Sequence, residues 1–256
     1  MEGKMRHPHK WEEMLPEEFF EEFDRMPIAY WACGAMEDHG LQNALGTDPY
    51  IAYEICLRAV NMTGGILFPV VPIAPAGFPG YSREELRNGK HELYYPSLWV
   101  SREICKDLYI ELLESMADMG FKFCIAFCGH WPGDMVLQEI TKEKDGRIGT
   151  MQFWGGGTSI LEDVWSAEVE KDPGINGHGM MDETSMNMAV RADWADLPRA
   201  KRINESPISS QLKGQPQAKL DKIASANVEF GNRMLNIAAE RIAKIARDML
   251  NNLLIQ

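Results

Sequence analysis

At 256 residues, with 45% hydrophobic and 25% charged residues, the chain has material for one sizeable domain and neither a disordered nor a fibrous composition. Its 38 Asp+Glu outweigh 26 Lys+Arg, and a net charge of −12 without a basic cluster argues against nucleic acid and anionic membranes while suiting a cation-binding site. No apolar run is long enough to span a bilayer, no signal-peptide apolar core stands near Met1, and Cys33, Cys56, Cys105, Cys124 and Cys128 read as buried free thiols, so a cytoplasmic protein is expected.

Residues 1–26 read as an acidic extension. Pro16 followed by Glu17 and Glu18 opens a short helix there, whose phenylalanines pack on the body or on another subunit. Residues 27–256 read as a single α/β domain. The run Ile28–Cys33 is apolar throughout and predicts a buried strand. Asp48-Pro49 opens a helix with Ile51, Ile55, Cys56 and Ala59 as its buried stripe, stopped by Gly64-Gly65. Ile66–Ile73 predicts a strand that Pro69 and Pro72 confine to a sheet edge or make irregular. From Ala74 to Pro96 the chain is a long loop rich in Gly, Pro and Tyr, with His91 of uncertain role.

A helix follows over Ser101–Met119, then a strand over Phe121–Cys128, a helix over Gly133–Lys144, a strand over Gly149–Trp154 and a helix over Ser159–Val169. Asp182–Trp194 predicts another helix, Arg199–Gln217 a polar loop, and Leu220–Leu253 one long or broken helix. Strands alternating with helices predict a three-layer α/β/α sandwich on a mostly parallel sheet.

Three polar islands carry the chemistry. Glu37-Asp38-His39-Gly40, with Asp48 downstream, follows the first strand. Gly129-His130-Trp131-Pro132-Gly133-Asp134 follows the strand ending at Cys128, and His178-Gly179-Met180-Met181-Asp182-Glu183-Thr184-Ser185 leads into a later helix. In open α/β sheets ligands collect at the carboxyl ends of strands, and separate segments each offering His with Asp or Glu are what a carboxylate-rich divalent metal site requires.

Each residue also has an ordinary structural reading. Asp48 before a proline is a good helix N-cap, His130 suits a surface turn, and acids at 182 and 183 stabilise a helix dipole. Glu37 and His39 alternate on an extended segment and so face one side. His178, with an unperturbed pKa of about 6.5, suits a general acid or base. Gly155-Gly156-Gly157 reads as a flexible turn, with a phosphate cradle before a helix as the weaker alternative, since it lacks the lysine of a P-loop.

These islands resemble the creatininase (creatinine amidohydrolase) family, whose members share Glu-x-His-Gly…Gly-Thr-Asp, an Asn-Gly-His-Gly-Gly-Asn-like turn and His-Ala-Gly-x-x-Glu-Thr-Ser. The matching stretches here are Glu37–Asp48, Cys128–Asp134 and His178–Ser185, within a resemblance that covers residues 28 to 250. It implies a Rossmann-like, creatininase-like α/β sandwich holding two divalent metal ions per chain, zinc, manganese or iron, often in a homo-oligomer, a hexamer. Glu37 and His130 would hold one ion, His39 and Glu183 the other, and Asp48 would bridge them. Creatininase itself takes a ligand two residues after the His of the second island, where Pro132 stands, so the match is to relatives that use the Glu of the third.

The resemblance further implies that His178 shuttles a proton and that the substrate is a small non-peptide amide, cyclic or formylated. Gln42 replaces a second His common in the family, Trp131-Pro132 replace small residues, and Met181 replaces an acid, so the resemblance does not extend to creatinine as substrate. The competing expectation is a catalytically silent, metal-bearing homologue that binds a small ligand or serves in an assembly.

Overall fold

The computed structural model describes residues 6–77, 79–88, 96–207 and 210–253. His91 lies outside the described residues, as do parts of the predicted loops around it and around residue 208. In chain order the elements are α1 (Pro16–Arg25), β1 (Ile28–Cys33), α2 (Thr47–Thr63), β2 (Ile66–Leu67), α3 (Arg83–Arg87), α4 (Arg102–Asp118), β3 (Phe123–Cys128) and α5 (Trp131–Glu143). There follow β4 (Arg147–Ile148), β5 (Met151–Gly157), α6 (Glu162–Lys171), α7 (Met181–Val190), α8 (Leu197–Ala200), α9 (Gln217–Lys222) and α10 (Val228–Leu253).

The sheet has the order β2-β1-β3-β5-β4, parallel except for β4 against β5. All twelve residues of β1 and β3 are buried, which is why these strands are apolar without alternation. Ile28, Tyr30 and Ala32 with Phe123, Ile125 and Phe127 face α2, α7 and α10 through Ile55, Met186, Leu235 and Ile242. Trp31, Cys33, Cys124 and Cys128 face α4 and α5 through Tyr109, Leu113, Val136 and Ile140. The layers are therefore α/β/α. The chain leaves β1 toward α2 on one face and leaves β3 toward α5 on the other, and a crevice opens between their carboxyl ends.

Several predicted elements change shape in physically simple ways. Only Ile66–Leu67 is regular strand, because Pro69 and Pro72 lack an N–H; Phe68 and Val71 still donate to Tyr30 and Ala32 at 2.8 and 2.9 Å, at the sheet edge. The glycines 155–157 are not a turn. They form the second half of β5, in register with Ala126, Phe127 and Cys128. Their small size is required there: a Cβ on Gly157 would lie 2.1 Å from the Cys128 carbonyl oxygen, and one on Gly155 would lie 3.0 Å from that of Leu137. Their N–H groups belong to the sheet, and the phosphate-cradle alternative loses its basis.

The C-terminal helical region is broken. A 3-10 turn at Ile223–Ser225 precedes Asn227, whose Oδ1 accepts from the Phe230 N–H at 2.8 Å, so α10 starts afresh. The five cysteines are buried and free. In α1, Phe19 and Phe23 meet Phe121 edge-on at centroid separations of 6.3 and 4.9 Å, while Phe20 faces outward.

Helix α10 crosses α7 at Gly231, where an added Cβ would stand 2.0 Å from the Ser185 carbonyl oxygen. Alanine has the better helix propensity by about 1 kcal/mol, but the clash is with backbone and costs about 1–3 kcal/mol or more. Gly231→Ala is therefore expected to be destabilising on balance. A lower midpoint in urea denaturation checks this, and an unchanged or raised midpoint would show that the helices can part at no cost.

Candidate metal centre

Glu37 and His39 lie on the loop after β1, and Asp48 lies in the first turn of α2. The expected N-cap role of Asp48 is not what the structure shows. Gly46 holds the cap position, helix α2 begins at Thr47, and the Asp48 carboxylate turns inward instead. Its two oxygens point at two different imidazoles: Oδ1 is 2.8 Å from His39 Nε2 and Oδ2 is 2.9 Å from His130 Nδ1. His130 is the N-cap residue of α5, two residues past the end of β3. Gly129 before it has no room for a side chain, because a Cβ would meet the Asp48 carbonyl oxygen at 2.1 Å. That contact sets the start of α2 against the end of β3.

Glu37 Oε1 lies 3.0 Å from the same His130 Nδ1. Glu183, in the first turn of α7, approaches His39 Nε2 at 3.6 Å through Oε2, which also accepts from the Gly179 N–H at 2.6 Å. His178 stacks on His39 with ring centroids 4.2 Å apart, and its Nδ1 is 3.6 Å from Glu37 Oε1. The six side chains singled out in the sequence thus converge. Among the described residues, three groups have ligand atoms within 4.8 Å of one another: Glu37 with Asp48 and His130, His39 with Asp48 and Glu183, and Glu37 with His39 and His178; Asp48 is common to the first two.

Backbone carbonyls determine which nitrogen each histidine presents. A carbonyl can only accept, so His39 donates from Nδ1 to the Glu37 oxygen at 3.2 Å, and His130 donates from Nε2 to the Pro75 oxygen at 3.1 Å. The remaining nitrogens carry lone pairs directed at carboxylate oxygens unless a proton or metal ion lies between. This outer hydrogen bonding is characteristic of metal-ligating histidines. Glu37 Oε2 is buried without a hydrogen-bond partner, while the buried Glu37 Oε1 and His39 Nε2 face His130 Nδ1 at 3.0 Å and Asp48 Oδ1 at 2.8 Å, contacts that become hydrogen bonds only when those ring nitrogens carry protons. Burying such groups unpaired is costly, and cations in the two groups would satisfy them. The donor set of carboxylates and imidazoles fits a divalent ion of the first transition row.

Electrostatics agree. Burial drives the His39 and His130 pKa values down, but Asp48, Glu37 and Glu183 around them more than reverse this, and both stand well above the ordinary imidazole value. Burial likewise opposes ionisation of Asp48, yet the His39 and His130 charges hold its carboxylate well below the usual range. Burial raises Glu183.

Other acids of the islands do structural work. Asp38 accepts from Ser210 Oγ at 2.6 Å, and Asp134 accepts from Gln138 Nε2 and the Ser159 N–H at 2.7 and 3.1 Å, tying α5 to the segment after β5. Gln42 joins the first and third islands by donating to the carbonyls of His39 and Gly179 at 3.1 and 2.7 Å. Asn43 also reaches the His39 carbonyl, and binds Thr184 Oγ1 at 2.9 Å.

A cavity of about 660 Å³ opens over the cluster. Beyond the ligand candidates its lining includes Trp99, Trp165, Asn176 and Asp182, none of which the sequence singled out for that place. Asp182 lies in the third island, where it read as a helix-dipole acid, and nothing in the local sequence of Trp99, Trp165 or Asn176 marks them.

Among the described residues, no helix is long and apolar enough to cross a membrane. No curated protein sequence matches the chain significantly. Solved structures do. A creatinine amidohydrolase (creatininase) crystal structure aligns with a TM-score of 0.71 at 16% identity, over 92% of this chain and 95% of its own. A manganese creatininase aligns at 0.66 and 17%, over 93% and 97%. A putative creatinine amidohydrolase from Bacteroides fragilis NCTC 9343 aligns at 0.68 and 16%, over 96% and 97%. At these identities the likeness shows the fold. The family model described as "Creatininase: Creatinine amidohydrolase" matches residues 12–246, and the chain belongs to the creatininase family.

Proposed function

We propose that this protein is a metal-dependent amidohydrolase that cleaves a non-peptide amide C–N bond, in a cyclic amide or a formamide, of a small metabolite. The observation that carries this reading is the shared Asp48, each oxygen of which faces a histidine oriented by a backbone carbonyl. Glu37, Asp48 and His130 would hold one divalent ion, and His39, Asp48 and Glu183 a second. When bound, two such ions would lower the pKa of a water and polarise the amide carbonyl.

The rest is done by the chain. His178 donates from Nε2 to the Asp38 carbonyl at 2.5 Å, which leaves Nδ1 free of that bond and on the side of the cluster. It is partly exposed at the cavity, and can take a proton from the attacking water and return it to the leaving nitrogen. Trp99, 6.0 Å from the His130 ring, walls the cavity beside the cluster. Pro132 has no side-chain ligand atom, so the second island contributes His130 alone to the cluster.

Elemental mass spectrometry on protein purified without chelator is expected to find about two divalent ions per chain. Asp48→Ala should lose both, and Glu183→Ala one. A full complement in Asp48→Ala would remove the bridging role, and no metal in the parent protein even after reloading would exclude both the hydrolase and the silent metal-bearing homologue, leaving a metal-free binding or assembly subunit.

Metal ions must displace the protons that the carboxylates hold on His39 and His130, whose pKa values are raised. Apparent metal affinity should therefore increase as pH rises, with proton release on binding, and weaken as pH falls. Calorimetry in buffers of different ionisation enthalpy reads the released protons; affinity independent of pH would contradict the assignment.

With an amide substrate found in a panel of lactams and formamides, His178→Ala should lower kcat by about 10²–10⁴-fold while metal content stays unchanged. Near-normal turnover in that variant would exclude the proton-transfer role.

A further inference from the structure

His39 and Glu183 come from distant segments, and one side-chain amide joins the backbones that carry them. Gln42, 2% exposed, donates from Nε2 to the His39 carbonyl at 3.1 Å and to the Gly179 carbonyl at 2.7 Å. Carbonyls can only accept, so both N–H bonds of the amide are used and its orientation is fixed. Gln42 Oε1 is left buried with no hydrogen-bond partner among the described residues. A buried acceptor without a partner is unfavourable, so the group gains by its donors and not by its oxygen.

Gly179 has no side chain to hold the two backbones apart: a Cβ there would stand 2.8 Å from the His39 oxygen. The two carbonyl dipoles therefore converge on one nitrogen, and without a donor between them they would repel. The Gly179 N–H in turn donates to Glu183 Oε2 at 2.6 Å, so a shift of Gly179 carries the carboxylate with it. Asn43 and Thr184 support the same pair. Asn43 Nδ2 reaches the His39 carbonyl at 3.1 Å and Thr184 Oγ1 at 2.9 Å, and Thr184 Oγ1 donates to the Gly179 carbonyl at 3.3 Å. The other group is held by different means. The Pro75 carbonyl orients His130, and the Asp48 backbone rests on Gly129; neither hydrogen bond of the Gln42 amide goes to Glu37, Asp48 or His130.

We propose that Gln42 is a positioning residue for one metal ion of the two. Its bridging amide sets the separation of His39 and Glu183, and hence the affinity of the His39–Asp48–Glu183 group, while the Glu37–Asp48–His130 group is independent of it. This rests on the two-ion assignment made under the proposed function, and not on hydrolysis or on any substrate.

Isothermal titration with Mn²⁺ in two single-site backgrounds tells the groups apart. Glu37→Ala keeps the His39–Asp48–Glu183 group, and Glu183→Ala keeps the other. Gln42→Met removes both donors at nearly unchanged length. In the Glu37→Ala protein it is expected to weaken Mn²⁺ by about 10–100-fold, and in the Glu183→Ala protein by less than about threefold. In the otherwise unchanged chain, elemental mass spectrometry after dialysis should find about one ion retained by Gln42→Met where the parent keeps about two. A neutral imidazole donates one N–H, so Gln42→His can serve one of the two carbonyls and should give a smaller loss at the same group. It carries the comparison if Gln42→Met does not fold.

Equal weakening in both backgrounds would mean a general loosening of the fold and would overturn the proposal. Unchanged affinity in the Glu37→Ala protein, or both ions retained after dialysis, would overturn it too. The two readings fail separately. A protein that hydrolyses no amide but loses one ion selectively on substitution of Gln42 keeps the positioning role and loses the hydrolase function. An amide hydrolase whose two ions are both indifferent to Gln42 does the reverse. A parent protein that takes up no Mn²⁺ overturns both.

Discussion

Asp48 imposes the condition that the rest of the site satisfies. A carboxylate at 3% exposure, with an imidazole nitrogen against each oxygen at 2.8 and 2.9 Å, needs positive charge beside it. The flanking Glu37 and Glu183 add negative charge, which proton uptake by two histidines or a bound cation would compensate. Because each histidine donates its other N–H to a backbone carbonyl, the ligand nitrogens are oriented before any ion arrives. The centre is preorganised by main chain, which belongs to the fold and does not depend on a particular substrate.

The main chain can do this only where side chains are absent. Gly129 lets the start of α2 touch the end of β3, and Gly157 lets β5 lie against the Cys128 carbonyl. Gly179, at φ +63°, brings the third island to within contact of the His39 carbonyl, where Gln42 ties the two together. Three segments distant in sequence are thereby held at hydrogen-bonding range. The apolar layers on either side of β1 and β3 set the helices that deliver them, so core packing and site geometry are one problem.

Much of this was legible in the residues. The apolar runs at 28–33 and 121–128 mark strands buried on both faces; β1 has the predicted bounds, and β3 starts two residues later than predicted, at Phe123. Glu37 and His39 face one site as alternation on an extended segment requires, and the resemblance joined them to Asp48, His130, His178 and Glu183, which the structure brings together. Local rules misled where a tertiary demand outweighed them. Asp before Pro reads as a cap, yet the carboxylate is taken by two histidines; three glycines read as a turn, yet close packing against Cys128 and Leu137 places them in a strand. The broken C-terminal helix follows from Asn227, whose cap bond starts α10 anew.

The sequence by itself determined the α/β alternation, the buried strands, the three islands and the family, because periodicity and residue type act over a few positions. Only the tertiary structure decided that Asp38 and Asp134 serve the scaffold while Asp48 serves the centre. It alone placed Pro75 behind His130 and assembled Trp99, Trp165, Asn176 and Asp182 into one wall. Orientation and convergence depend on where distant segments cross, and those crossings are set by packing and backbone clearance that no local pattern encodes.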